Sequence, residues 1–108
     1  MDEEGGEGVA SAGDEQWAII CASASVKRDW ERLKARAPEA LSACRLYIAQ
    51  HPLRRHPGRA YPWRGQHANG VWEFEVTGGD RVLYRADPDT RIVVVLFAGP
   101  HPTGRYRL

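Results

Sequence analysis

The sequence predicts an α+β domain in which an antiparallel β-meander packs on a two-helix hairpin, in the order β-α-α-β-β-β. Three observations predict it. An apolar run of strand length, Trp17-Ala18-Ile19-Ile20-Cys21-Ala22, precedes two stretches of helical periodicity. The second half of the chain holds three β-rich stretches. Two turn sequences, Thr77-Gly78-Gly79 and Asp87-Pro88-Asp89-Thr90, separate them at hairpin spacing. With 108 residues, 43% of them hydrophobic, the chain has material for one core.

Residues 1–16 stand apart. They are rich in Gly, Ala and Ser, carry Asp2, Glu3, Glu4, Glu7, Asp14 and Glu15, and contain no Lys or Arg. Such a segment buries too little apolar surface to offset the entropy of ordering, so a mobile tail is expected, with the domain spanning 17–108. Of the 14 acids, eight remain in 17–108 against all 15 Lys and Arg, a surplus of seven positive charges. A domain that basic attracts polyanions. A weak electrostatic mask over that surface is one use for such a tail, although most such tails have none.

The run from Trp17 to Ala22 reads as a strand buried on both faces. Ser23 to Ser25 supply a helix cap, and Val26, Trp30, Leu33 and Ala37 form one apolar helical face. Pro38 suits the first turn of a second helix, whose stripe is Leu41, Cys44, Tyr47 and Ile48 and which runs to about Gln50. Two helices joined this tightly form an antiparallel hairpin. Residues 51–70 contain no Asp or Glu but hold Arg54, Arg55, Arg59 and Arg64 with His51, His56 and His67, and read as an extended basic loop.

Three strands follow, Val71–Val76, Asp80–Ala86 and Arg91–Ala98. Patterning selects the first hairpin's register. A two-residue Gly-Gly turn would mix polar and apolar residues on each face. A three-residue turn with a left-handed Gly pairs Phe74 with Val82, Trp72 with Tyr84, Glu75 with Arg81 and Glu73 with Leu83. One face is then apolar and packs on the helices, and the other carries Glu73, Glu75, Arg81 and Arg85. A one-residue slip would bury charge.

Several function classes are set aside. No apolar run approaches the roughly 20 residues of a membrane span, and no basic start followed by an apolar stretch marks a secretory signal. A cytoplasmic location is therefore expected. Cys21 and Cys44 are too few for a disulfide framework and read as reduced core thiols. The four His lack metal-motif spacing, so no metal or other cofactor is expected. Gly78-Gly79 is a hairpin turn, not a phosphate loop.

The open face and the residues after the last strand gather Glu73, Glu75, Arg81, Arg85, His101, Arg105, Tyr106 and Arg107. Cleaving RNA without a metal needs a base for the 2′-OH proton, a cation for the phosphate and an acid for the leaving 5′ oxygen. Glu or His serves as base, Arg as phosphate clamp, and His or Tyr as acid. Each residue also has a purely architectural use: Arg81 pairs with Glu75 across the strands, Glu73 and Glu75 are the wet side of a strand, His101 shapes a Pro100–Pro102 turn, and Tyr106 packs. Most of the four Trp suit the core, and Trp63 in the basic loop is placed to stack on a base.

Tyr61-Pro-Trp-Arg-Gly65, Val71-Trp-Glu-Phe-Glu-Val76 and Asp80-Arg-Val-Leu-Tyr84, in that order behind a helix hairpin, resemble the RelE/ParE toxin superfamily over about residues 17–108. The resemblance implies a β-α-α-β-β-β fold, a metal-independent endoribonuclease toxin that inhibits translation by cutting RNA, in some members mRNA on the ribosome, and an antitoxin protein as partner. It maps a phosphate-binding catalytic role onto Arg81, acid or base onto His101, and an important tyrosine onto Tyr106. Glu75 would share the base role, with Arg59, Arg64, Glu73, Arg85 and Arg105 holding the RNA. Two departures stand out. RelE-like members carry lysines where this chain has Glu73 and Glu75, and the tyrosines that flank the histidine of YoeB-like members are missing. The competing readings are a ParE-like toxin that binds DNA gyrase and cuts nothing, and an RNA-binding domain with a decayed site.

Overall fold

The computed structural model describes residues 16–64 and 69–101. In chain order they form β1 (Ala18–Cys21), α1 (Ala24–Arg36), α2 (Pro38–Gln50), β2 (Ala60–Pro62), β3 (Trp72–Glu75), β4 (Asp80–Asp87) and β5 (Ile92–Pro100). All but Gln16 of the expected acidic tail lies outside the described residues.

The helices start and stop where local chemistry dictates. The Ser23 hydroxyl accepts from the Val26 amide and caps α1, while Lys34 and Arg36 occupy its last turn, against the negative end of the helix dipole. The Ala37 amide closes α1 on the Leu33 carbonyl, and Pro38, which lacks an N–H to satisfy, opens α2 at once. Trp30 and Leu33 of α1, and Leu41, Cys44, Ile48 and Ala49 of α2, face the sheet.

The sheet has five strands in the order β1-β5-β4-β3-β2. β3, β4 and β5 are the expected antiparallel meander; β1 joins β5 in parallel. The first hairpin has the register that patterning selects, Trp72–Tyr84, Glu73–Leu83, Phe74–Val82 and Glu75–Arg81. Phe74, Val82, Tyr84, Val93 and Val95 meet the helices in the main core, and the Tyr84 hydroxyl donates to the Pro52 carbonyl at 2.7 Å.

Several expectations need correction. β1 is an edge strand: Ile20 is 51% exposed, so only one face is covered. The basic loop contains a further strand, β2, antiparallel to β3, with Ala60 opposite Phe74 and Tyr61 opposite Glu73. Its pairing is possible because Pro62 sits at the strand's end, where its missing N–H interrupts little of the ladder. Neither Gly78 nor Gly79 is left-handed. The turn is built instead by Thr77, whose hydroxyl accepts from the Gly79 and Asp80 amides and donates to the Asp80 carboxylate. Trp63 is not offered to a base: it is buried with Val71 and Leu83, against Leu96 and Phe97, in a second cluster.

β5 carries a bulge. Leu83 pairs with Phe97 but Tyr84 with Val95, so Leu96 is the extra residue. At the β4–β5 turn Arg91 is left-handed (φ 58°), and its guanidinium lies 4.7 Å from the Trp17 ring centroid. Both cysteines are free thiols; Cys44 is buried and Cys21 is half-buried.

Candidate active site

The sheet face turned away from the helices has an apolar part and a polar part. The polar part is set by register. Tyr61 stands opposite Glu73, Glu75 opposite Arg81, and Arg81 opposite Gly99, so side chains from β2, β3 and β4 project side by side while β5 contributes no side chain beside Arg81. His101 follows β5 and is anchored by its amide, which donates to the Gly79 carbonyl at 2.8 Å.

This face is far drier than alternation alone implies. Glu73 is 5% and Arg81 8% exposed. Buried charges require partners, and these have them. Arg81 Nε donates to Glu73 Oε2 at 3.1 Å, and one terminal nitrogen donates to the carbonyls of Thr77, Gly78 and Asp80 at 2.8, 3.3 and 3.0 Å. The other terminal nitrogen lies 3.8 Å from Glu75 Oε1. Arg81 therefore ties both carboxylates to the hairpin turn, and its pairing with Glu73 is tighter than the pairing with Glu75 expected from register. The second terminal nitrogen is its least committed arm.

Tyr61 completes the cluster. Its phenol donates to Glu75 Oε2 and lies 3.4 Å from Glu73 Oε2. Desolvation, with the hydrogen bond to Glu75 and the charges of Glu73 and Glu75, pushes its pKa well above the ordinary tyrosine value, so it stays protonated at neutral pH. His101 Nε2 is 3.9 Å from the same Glu73 oxygen, and its side chain is 60% exposed. An acid–base set thus converges on Glu73: a buried carboxylate, a more exposed carboxylate, a phenol, an imidazole and a guanidinium.

Among the residues expected at the site, Glu73, Glu75, Arg81 and His101 come together. Arg64 borders them, its guanidinium 5.5 Å from the Tyr61 ring centroid. Arg59 does not join: it donates to the Glu75 carbonyl and lies 5.9 Å from the ring of Phe74, a core residue on the helix side. Arg85 points its guanidinium at the Asn69 carbonyl. Tyr106 and Arg105 lie outside the described residues. Tyr61 was missed as a site residue because its position depends on β2, which an Arg- and Pro-rich segment conceals.

No protein-family model matches the sequence, and no curated protein matches it. Solved structures do. The YoeB/ParE toxin from Agrobacterium tumefaciens superposes with a TM-score of 0.64 at 21% identity, over 79% of this chain and 99% of that one. The RelBE2 toxin–antitoxin complex from Mycobacterium tuberculosis gives 0.51 at 24% identity, over 80% and 99%. The DinJ–YafQ toxin–antitoxin complex from E. coli gives 0.62 at 16% identity, over 80% and 93%. The fold is that of the RelE/YoeB toxins. Within this RelE-like frame, the carboxylates of β3, the arginine of β4 and the histidine after β5 occupy one sheet face, while the helix hairpin covers the other.

Proposed function

We propose that the chain is the toxin of a type II toxin–antitoxin pair and that the cluster around Glu73 is a metal-independent endoribonuclease site. One observation carries the reading: acid, base and cation stand together on one face of a RelE-like sheet, with His101 and Arg81 both addressed to the same buried carboxylate. Glu75, with a side chain 29% exposed, is the carboxylate a substrate can reach and takes the 2′-OH proton. The less committed terminal nitrogen of Arg81, 3.8 Å from Glu75 Oε1, stabilises charge developing on the phosphate. His101, oriented by Glu73, protonates the leaving 5′ oxygen. Tyr61 holds Glu75, and Arg64, with Arg54 and Arg55 of the basic segment, meets the RNA backbone.

Support for the partner comes from the structural neighbours, some of which are complexes of toxins with antitoxins. No helix among the described residues is long and apolar enough to cross a membrane. We place the reaction in the cytoplasm, on free or ribosome-bound mRNA.

The test is cleavage of RNA by purified protein in EDTA, with and without ribosomes, for wild type and His101→Ala. His101 is exposed, so the variant keeps its fold. A loss of about 100-fold or more in rate, with RNA affinity nearly unchanged, is expected of a general acid. Equal rates would remove His101 from the chemistry. A second reading has its own observation: most donors of Arg81 are already engaged within the protein. Salt-sensitive RNA binding with no product in any setting would favour an RNA-binding domain with a decayed site.

A further inference from the structure

We infer that the acids of residues 1–15 dock on the exposed basic stretch that follows α2, residues 51–59, and cover it against RNA. The inference rests on the RNA reading above for the competitor it names, and not for the contact itself.

The basic stretch is a surface without a counter-charge. From His51 to Arg59 the chain carries Arg54, Arg55 and Arg59 with His51 and His56, and no acid. All five are exposed. Three bases of α1 are placed differently: Lys27 lies 3.9 Å from Glu31, Arg32 2.7 Å from Asp29 and Arg36 2.6 Å from Asp80. No described carboxylate stands within ion-pair distance of Arg54, Arg55 or Arg59. The stretch is nonetheless held in place by its backbone. The Arg54 amide donates to the His51 carbonyl at 3.1 Å, the Tyr47 hydroxyl donates to the Arg54 carbonyl at 2.7 Å, and the Arg59 amide donates to the His56 carbonyl at 2.9 Å. Like charges fixed this close together in sequence repel, and an anion laid across them relieves the repulsion.

The chain that precedes the described residues supplies such an anion and joins the domain beside this stretch. Residues 1–15 carry Asp2, Glu3, Glu4, Glu7, Asp14 and Glu15, with no Lys or Arg. They lead to Trp17, whose amide donates to the Ala49 carbonyl at 2.7 Å, close to the end of α2. Five residues of chain span at most about 18 Å, so Arg54 lies within that distance of Ala49. A chain of ten small residues has a reach of about 17 Å, which is the separation of Glu7 from Trp17. A tether this short gives a millimolar effective concentration, at which several weak surface ion pairs hold together. The sheet site is a poorer place for these acids, because Glu73 and Glu75 already surround Arg81 and repel further carboxylates. RNA brings its phosphates to the same exposed arginines, so the acids and RNA exclude each other there.

The test keeps the full chain and neutralises the acids together, as Asp2→Asn, Glu3→Gln, Glu4→Gln, Glu7→Gln, Asp14→Asn and Glu15→Gln. This is done with and without Arg54→Gln plus Arg55→Gln, and amide resonances and affinity for a short oligouridylate are measured. At low salt, neutralising the acids should move the Arg54 and Arg55 amide resonances. In about 0.5 M salt, where exposed charges are screened within a few ångströms, the two spectra should coincide at these positions. RNA affinity should rise about tenfold on neutralisation when both arginines are present, and less than about twofold when both are glutamine. That non-additivity separates docking from a change in net charge, which would raise affinity equally in both backgrounds. Either of two results would overturn the inference: Arg54 and Arg55 resonances that do not respond to neutralisation at low salt, or equal gains in affinity in the two backgrounds. If none of the four chains binds RNA, the RNA reading fails, and the resonances alone decide whether the contact exists.

Discussion

Glu73 and Arg81 are each buried and each the other's principal charge partner, which makes the pair costly to break from one side only. Glu73→Ala strands the Arg81 Nε and should destabilise the fold by about 3–5 kcal/mol in urea unfolding. Replacing both, as Glu73→Leu with Arg81→Met, should recover most of that loss, because the turn carbonyls that Arg81 serves can turn to water. Failure of the double variant to recover would mean that Arg81 stabilises mainly through the turn. Two other buried groups set an alkaline limit. Burial pushes the Cys44 thiol above its ordinary 9.0 and the Tyr84 phenol above its ordinary 10.0. Both pKa values are raised in the folded chain, so their contribution is complete below the unfolded values. As pH rises past about 9 and then about 10, the unfolded chain releases protons that the folded chain retains, and stability falls. Unfolding midpoints measured from pH 7 to 11 should decline from about pH 9, and Cys44→Ala should remove the earlier part of that decline.

At the scale of elements, the β3–β4 hairpin separates what was legible in the sequence from what was not. Its register follows from alternation and turn length: of a two-residue and a three-residue turn, only the latter puts Trp72, Phe74, Val82 and Tyr84 on a common face, and that pairing is the one formed. Its turn was not legible, since Thr77-Gly78-Gly79 suggests a left-handed glycine, whereas a threonine hydroxyl closes it. Thr77→Val keeps the shape and removes three hydrogen bonds, so it should cost about 1–2 kcal/mol and lower the thermal midpoint by several degrees. A midpoint within one degree of wild type would assign the turn to backbone preference alone. β2 escaped for a different reason: three residues ending in proline carry no periodicity of their own, and their partner β3 alone makes them a strand. The candidate site inherits both outcomes. Glu75 and Arg81 are neighbours by register, whereas the addition of Tyr61 and the tighter pairing of Arg81 with Glu73 depend on tertiary placement that no local pattern encodes.

At the scale of the molecule, charge is distributed unevenly along the chain, with the acids concentrated in residues 1–16 and every Lys and Arg beyond them. If Arg54, Arg55 and Arg64 meet phosphates, the slope of log affinity against log salt should be about −2 for single-stranded RNA, measured by fluorescence anisotropy. A flat dependence would mean that the basic segment does not contact the backbone. One further property follows from the parallel pairing of β1 with β5, in which Ala18 stands beside Ile92 and Cys21 beside Val95. The two strands are separated by most of the chain, and closing so long a loop is slow compared with forming the helix hairpin or the meander. During synthesis β1 emerges early and must wait for β5, with its apolar run uncovered in the interval. A nascent chain released before Ile92 would retain that adhesive strand with nothing to receive it. Premature termination should therefore yield aggregates rather than smaller folded forms.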